Sequence, residues 1–188
     1  MCKAQKKLKV FSYILGKFVE LQKEKIPDYR DKPESEILET FSNTRIMKLL
    51  YCLCLESLYD PKGGINERNL FSILGAFTAF PNGPVILDIY NALDIVPGFK
   101  YENGHFTTKT SNQTIELSRE DTDLIDNAII RLKNRMSSDY FISRNKLIKL
   151  THNLPIWIQT YIYNTNKEMT LDSAALNEEY TTYKNILS

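Results

Sequence analysis

The chain has 188 residues, of which 43% are hydrophobic and 25% are charged, so it is long enough to fold as one globular domain around its own core. Its 24 basic and 23 acidic side chains nearly balance, and the formal net charge of +1 argues against binding nucleic acid through an excess of positive charge. No stretch is apolar enough to cross a bilayer, and the lysine-rich start lacks a signal-peptide cleavage site, so we expect a cytoplasmic protein that does not bind membranes.

The first predicted element is an amphipathic helix near the N-terminus. Its apolar residues recur every three or four positions, at Leu8, Phe11, Leu15, Phe18 and Leu21. This spacing predicts a helix that ends near Lys25, before Pro27. Segment 23–36 is rich in charge and proline, so we expect a surface loop; a charged arm that docks onto a partner is the alternative.

Three helices are predicted between residues 35 and 80. Ser35 is expected to cap a short helix that runs through Phe41, and Ser42 or Asn43 is expected to cap the next helix. That next helix, 44-TRIMKLLYCLCLESLY-59, is apolar on nearly all sides, which is typical of a central helix with neighbours around it. After a turn, a third helix is defined by Leu70, Phe71, Leu74 and Phe77.

The stretch 79-AFPNGPVILDIYNAL-93 contains Gly83 followed by Pro84. Glycine is favoured just past the end of a helix, and proline is favoured in the first turn of the next one, so we predict a helix-to-helix corner here. The helix after this corner would carry one apolar face: Val85, Ile86, Ile89, Tyr90 and Leu93. The amides of Val85 and Ile86 are candidates for binding an anion, although their apolar surroundings favour a packed corner without a ligand.

A small β-hairpin is predicted around residues 99–108. Two short segments there flank the dipeptide Asn103-Gly104, which is the strongest short-range hairpin signal.

Further helices are predicted in the second half of the chain. Ser118 with Asp121 resembles a capping box, Ser143 is a second candidate cap, and Pro155 is expected in the first turn of a helix. After the polar loop 164–168, a terminal amphipathic helix carries Leu171, Leu176, Tyr180, Tyr183 and Leu187. The predicted fold class is therefore mainly α: a compact single-domain helical bundle with one small β-hairpin excursion.

Residue types that bind metals or phosphates, or that act as nucleophiles, are few and scattered. His105 and His152 lie in different segments, and no glycine-rich phosphate loop or nucleophile elbow occurs. The odd set Cys2, Cys52 and Cys54 lacks metal-ligand spacing and is typical of reduced thiols. We expect no metal, no cofactor and no catalytic residue. A catalytic His152 with a distant serine or cysteine stays open, although a histidine near a helix end more often contacts the last carbonyl groups.

An aromatic group on one predicted helix comprises Trp157, Tyr161 and Tyr163. Exposed aromatic residues often anchor interfaces, but at helical spacing a core position is favoured. Cys52 and Cys54 are likewise expected to fill the core.

Three segments in this order resemble the Panacea domain of SocA-like antitoxins and phage-associated proteins: 43-NTRIMKLLY-51, 76-AFTAFPNGPVILDIY-90 and 147-LIKLTHNLPIW-157. The resemblance spans about residues 43 to 185. The positions shared with the family pattern are Lys48, Leu49, Leu50, Tyr51, Ala76, Phe77, Gly83, Pro84, Val85, Tyr90, His152 and Trp157. The chain departs from the pattern at Met47, where glutamine is frequent, and at Phe77, where tryptophan is frequent.

The resemblance implies an antitoxin of a toxin–antitoxin system, which neutralises a co-encoded toxin by direct protein–protein binding and is not an enzyme. The toxin would be the product of a neighbouring gene, and the shared positions would be structural or binding residues. Segment 1–34 would be an N-terminal addition to a Panacea-like domain at 35–188. Two alternatives stay open: a protease adaptor that delivers its partner for degradation, and a small hydrolase or transferase that uses His152 beside Tyr51 or Tyr90.

Overall fold

A single apolar helix, α3 (Asn43–Glu56), runs through the centre of the computed structural model, which describes residues 2–109, 115–163, 168–169 and 171–188. Every residue of α3 from Arg45 to Glu56 is buried, which confirms the prediction of a central helix. Its predicted cap is also confirmed, because the Ser42 hydroxyl accepts a hydrogen bond of 3.3 Å from the Arg45 amide.

Further helices, both long and short, and two hairpins surround α3 in the described part of the chain. The remaining helices are α1 (Lys3–Lys25), α2 (Glu34–Glu39), α4 (Leu70–Leu74), α5 (Leu87–Tyr90), α6 (Arg119–Arg135), α7 (Ser138–Ile142), α8 (Arg144–His152), α9 (Pro155–Tyr163) and α10 (Ser173–Leu187), with 3-10 turns at Pro27–Tyr29 and Leu93–Ile95. The strands are β1 (Thr78–Phe80), β2 (Gly83–Val85), β3 (Phe99–Glu102) and β4 (His105–Thr108), which form two antiparallel pairs, β1 with β2 and β3 with β4. Helices α6, α8 and α10 and strand β2 pack directly on α3. The molecule is a mainly α domain, as the apolar periodicity predicts.

Helix α1 packs against α6 and α2 and contributes to the same core as α3. Its end at Lys25 confirms the prediction for this helix. Near its N-terminus, the Lys6 ammonium lies 2.8 Å from the buried Asp121 carboxylate of α6. Arg68 also binds this carboxylate, at 2.9 Å, so Asp121 joins α1, α6 and the loop before α4. Segment 1–34 and segment 35–188 therefore share one core.

Other predicted helix starts are mostly confirmed. Ser118 accepts a hydrogen bond from the Asp121 amide at 3.2 Å, Ser143 accepts one from the Lys146 amide at 3.3 Å, and α9 begins at Pro155. The cap predicted at Ser35 is wrong, because α2 begins at Glu34 and so contains Ser35, and Pro33 precedes the helix without a side-chain cap.

The terminal helix follows Asp172, whose carboxylate accepts a hydrogen bond from the Ala175 amide at 2.9 Å. Residues 164–167 of the predicted polar loop lie outside the described part of the chain. No described helix has the length and apolar character needed to cross a bilayer.

The hairpin predicted around residues 99–108 is confirmed. Strand β3 pairs with β4 so that Glu102 lies opposite His105. The two turn residues, Asn103 and Gly104, have φ angles of 52° and 85°, and a type I′ turn requires positive φ at both positions. Phe106 is fully buried, so the hairpin is fixed to the core by its inward face.

The helix-to-helix corner predicted at Gly83 and Pro84 is wrong. Helix α4 stops at Gly75, and the chain then forms the β1–β2 hairpin, in which Phe80 lies opposite Gly83. Pro81 and Gly83 occupy the second and fourth positions of the turn, where a type I turn favours proline and glycine. The same residue types that end and start helices therefore form a tight turn here.

The segment after this hairpin is less helical than predicted. Only Leu87–Tyr90 forms an α-helix, and a 3-10 turn follows. The four aliphatic residues of the predicted apolar face are buried, whereas Tyr90 is 43% exposed. Tyr90 therefore lies on the surface and not in the core.

Replacing Gly83 by alanine tests how closely the β1–β2 hairpin packs. A Cβ atom at Gly83 would lie 2.7 Å from both Lys48 Cε and Thr151 Oγ1, and the φ angle there is +98°. We expect Gly83→Ala to reduce the free energy of unfolding by roughly 3 kcal/mol or more, through overpacking added to backbone strain. Urea denaturation followed by circular dichroism measures this loss.

Gly104→Ala is the matched control, because Gly104 also has positive φ but no heavy atom within 4 Å of the added Cβ. Its cost should be about 1 kcal/mol, from backbone strain alone. Equal losses for the two variants would show that the hairpin does not pack closely on Lys48 and Thr151.

Candidate functional site

The three segments that carry the family resemblance meet at the β1–β2 hairpin. Lys48 of α3 donates a hydrogen bond of 2.8 Å from its Nζ atom to the Pro84 carbonyl of β2. Trp157 of α9 donates one of 3.1 Å from Nε1 to the Phe80 carbonyl of β1. The hairpin is thus held from one side by α3 and from the other by α9. These contacts join residues separated by 36 and 77 positions in the chain.

Lys48 is a buried cation without a paired anion in the described part of the chain. Only 1% of the residue is exposed, and its single hydrogen bond is the one to the Pro84 carbonyl. Burial lowers the pKa of Lys48 to about 7; Cys52 opposes this shift, and the charge of Arg144 makes a smaller contribution that lowers the pKa.

His152 lies flat against Trp157, which in turn lies flat against Tyr161. The ring centroids of His152 and Trp157 are 3.9 Å apart with an interplanar angle of 9°, and those of Trp157 and Tyr161 are 4.8 Å apart at 11°. Burial and the charge of Lys48 lower the pKa of His152, while a hydrogen bond to the backbone of Pro81 opposes this. His152 is half-buried, and its Nε2 atom is buried without a hydrogen-bond partner in the described part of the chain.

Tyr51 and Phe77 form the apolar floor beneath the hairpin. Both are fully buried, and their rings meet edge to face with centroids 4.8 Å apart. The Tyr51 hydroxyl donates a hydrogen bond of 2.5 Å to Glu179 Oε1. Glu179 Oε2 accepts a second hydrogen bond, of 2.7 Å, from the Ile156 amide at the start of α9. Glu179 of α10 therefore ties α3 to α9.

Sequence reasoning missed Glu179 entirely. Burial raises the pKa of its carboxyl to about 7, against the two hydrogen bonds, which lower it. The sequence does contain an indication of this role, in the position of Glu179 on its helix. This acidic residue lies on the apolar face that Leu176, Tyr180 and Tyr183 define. An acidic residue on a buried stripe requires donors, and Tyr51 and Ile156 supply them.

The remaining motif positions divide between core and surface. Leu49, Leu50 and Val85 are buried in the core, whereas Ala76 is exposed. Val85 lies in a strand, so its amide does not belong to a helix start.

A small cavity of about 90 Å³ opens beside Lys48. Its lining residues come from the start of α3, the hairpin and α5: Asn43, Thr44, Lys48, Phe80, Pro81, Asn82, Val85 and Tyr90. Among the motif positions, Lys48, Val85 and Tyr90 line this cavity, while Tyr51 and His152 do not.

Three exposed aromatic residues, Phe80, Tyr90 and Tyr161, lie around the hairpin and are called the aromatic surface below. Their exposed fractions are 38%, 43% and 37%. Phe80 and Tyr90 line the mouth of the same cavity, and Tyr161 stacks on Trp157, which binds the Phe80 carbonyl. Trp157 is buried as predicted, whereas the core position predicted for Tyr161 and for Tyr163, which is 81% exposed, is wrong.

A larger cavity lies elsewhere. This groove of about 860 Å³ runs between residues 64–76 and the start of α10 at 171–177, and of the motif positions it contains only Ala76.

In the described part of the chain, no group of three histidine, cysteine, aspartate or glutamate residues is arranged to hold a metal ion. Cys52 and Cys54 are buried in the core as predicted, and Cys2 is exposed.

Comparison with known proteins finds no matching family model, no similar curated protein and no similar solved structure. The resemblance to the Panacea domain therefore rests on the three motif segments alone.

Replacing Glu179 by glutamine tests the buried carboxyl that joins α3 to α9. Because the folded-state pKa of Glu179 is raised from 4.5 to about 7, the folded protein binds this proton more tightly than the unfolded chain does. Its contribution to stability is complete below pH 4.5 and is lost as the pH rises through 7. We expect roughly 3 kcal/mol of pH-dependent stability in this window, which Glu179→Gln removes.

Urea denaturation of both proteins at pH 4.5, 6 and 7.5 measures the effect as a difference between their pH profiles. Glu178→Gln, at the exposed neighbouring position on α10, is the control and should leave the profile unchanged. Parallel profiles for the parent chain and Glu179→Gln would contradict the assignment.

Proposed function

We propose that this chain is an antitoxin-like protein, which neutralises a co-encoded protein toxin by binding it directly through the aromatic surface. The support for this proposal is the ordered resemblance to the Panacea domain, together with the meeting of its three segments at one hairpin. The proposed partner is a protein and not a nucleic acid, in keeping with the net charge of +1, and the proposed location is the cytoplasm.

The observation that carries the proposal is a set of exposed aromatic residues on a rigid support. Exposed tyrosine and phenylalanine are enriched in protein interfaces, and a few such anchors supply most of the binding energy. Phe80 is fixed through its carbonyl by Trp157, and Pro84 is fixed by Lys48. A surface that is already rigid loses little conformational entropy when a partner binds. An interface of standard size covers about 800 Å² on each partner, which is wider than these three side chains and includes their neighbours.

The catalytic alternative assigns His152 as a base beside Tyr51 or Tyr90. The Tyr51 hydroxyl is buried and donates to Glu179, and His152 lies against Trp157 and the turn at Pro81. These contacts favour a structural role for both residues. We therefore propose neutralisation without catalysis.

The adaptor alternative uses the same surface. It differs only in the fate of the toxin, which would be degraded instead of held in a stable complex.

Co-expression in a bacterial host with the product of the neighbouring gene tests the proposal. We expect that product to be toxic alone and harmless in the presence of this chain. We expect Tyr90→Ala to raise the dissociation constant of the complex at least tenfold, because an interface anchor contributes more than about 1.4 kcal/mol. Isothermal titration calorimetry measures the affinity, and immunoblotting of the toxin separates a stable complex from degradation.

Tyr59→Ala is the matched control, because Tyr59 is 44% exposed, on another part of the surface. It should bind as the parent chain does. A neighbouring product that is harmless alone, or that stays toxic beside soluble chain, would refute the proposed function. Equal effects of Tyr59→Ala and Tyr90→Ala would refute the assignment of the surface.

A further inference from the structure

The charge of Lys48 lacks an anionic partner within the described residues. An ammonium group has three donors, and the structure gives Lys48 one acceptor, the Pro84 carbonyl. Burial of a charge without a paired anion is costly, and buried charges are usually paired. The groups that act electrostatically on Lys48 include Arg144 and His152, which add positive charge or none, and the Cys52 thiol. The surroundings of Lys48 therefore favour an anion.

The cavity beside Lys48 has the size and lining for one small anion. Its volume of about 90 Å³ is about three times the roughly 30 Å³ that one water molecule occupies in the liquid, which leaves room for the three heavy atoms of a carboxylate group. Cofactors and drug-sized ligands need roughly 300 Å³ or more. Besides Lys48, the polar lining residues are Asn43, Thr44, Asn82 and Tyr90, all neutral, and no carboxylate lines the cavity.

The start of α3 adds to this preference. Asn43 and Thr44 occupy the first turn of this 14-residue helix, where backbone amides point outward and the helix dipole favours negative charge. The cap at Ser42 engages the Arg45 amide. Lys48 and the first two residues of α3 thus line one cavity.

We propose that this cavity binds a single carboxylate group, supplied by an acidic side chain of the protein toxin, which inserts between Phe80 and Tyr90 and pairs with Lys48. The source of the carboxylate rests on the proposed function, because the mouth of the cavity lies within the aromatic surface. In this arrangement the aromatic residues supply contact area and Lys48 supplies charge specificity. The toxin should therefore present an aspartate or glutamate at the centre of its contact surface.

Acetate is the probe for the cavity itself. A bound carboxylate stabilises the ammonium form, so it should raise the pKa of Lys48 by about one unit or more. The side-chain 15N and 13Cε signals of Lys48 in the labelled, unmodified chain report this directly during titrations with sodium acetate at constant ionic strength. We expect a saturable change at Lys48 and none at the exposed Lys146.

Acetamide is the matched control, because it has nearly the shape of acetate but carries no charge. It should leave the Lys48 signals and pKa unchanged. The carboxylate site would be overturned if acetate produced no saturable change, if acetamide produced the same change, or if all lysines shifted alike.

Competition then tests the source of the carboxylate. Saturating acetate should weaken toxin binding, whereas acetamide should not; equal toxin affinity in both solutions would overturn insertion of a toxin side chain. The acetate titration does not need the toxin, so it can succeed even if co-expression refutes the proposed function. Conversely, rescue by co-expression without acetate binding would overturn the carboxylate site and leave the proposed function standing.

Discussion

The hydrogen bond from the Lys48 ammonium to the Pro84 carbonyl fixes the arrangement on which the other contacts depend. Pro84 is buried, so its carbonyl needs a donor, and the long side chain of Lys48 brings one across from α3. That arm passes so close to Gly83 that a side chain there would collide with it. The position of β2 on α3 therefore depends on the reach of one lysine and on the absence of a side chain at one glycine.

The motif positions divide into a buried support and an exposed remainder. Lys48, Tyr51 and Trp157 each donate a hydrogen bond to a group on another element, and together they hold α3, α9, α10 and the hairpin in fixed relation. Tyr90 is exposed beside that support and lines the cavity mouth. A surface held in this way suits recognition of a protein partner, because its shape is set before binding. The cavity beside Lys48 adds one polar position to an otherwise aromatic contact area.

Local sequence rules predict the helices well and the β1–β2 hairpin badly. Apolar periodicity predicts helix α3, and the dipeptide Asn103-Gly104 predicts the β3–β4 hairpin. Each of these patterns is compatible with one type of structure. Gly83 is compatible with two structures, because glycine is favoured both at helix ends and in tight turns, and Pro84 lies in strand β2 instead of starting a helix. Donors from distant segments, Lys48 and Trp157, act on the hairpin, and no local pattern shows them. Glu179 could not be predicted for the same reason, because its hydrogen-bond partners are 128 and 23 residues away in the chain.

Hydrogen–deuterium exchange of the chain, alone and mixed with the product of the neighbouring gene, tests most directly whether the hairpin presents the binding surface. We expect slower exchange on binding at residues 78–90 and in the second half of α9, with little change in the groove formed by residues 64–76 and 171–177. Slower exchange confined to that groove, with an unchanged hairpin, would contradict this expectation.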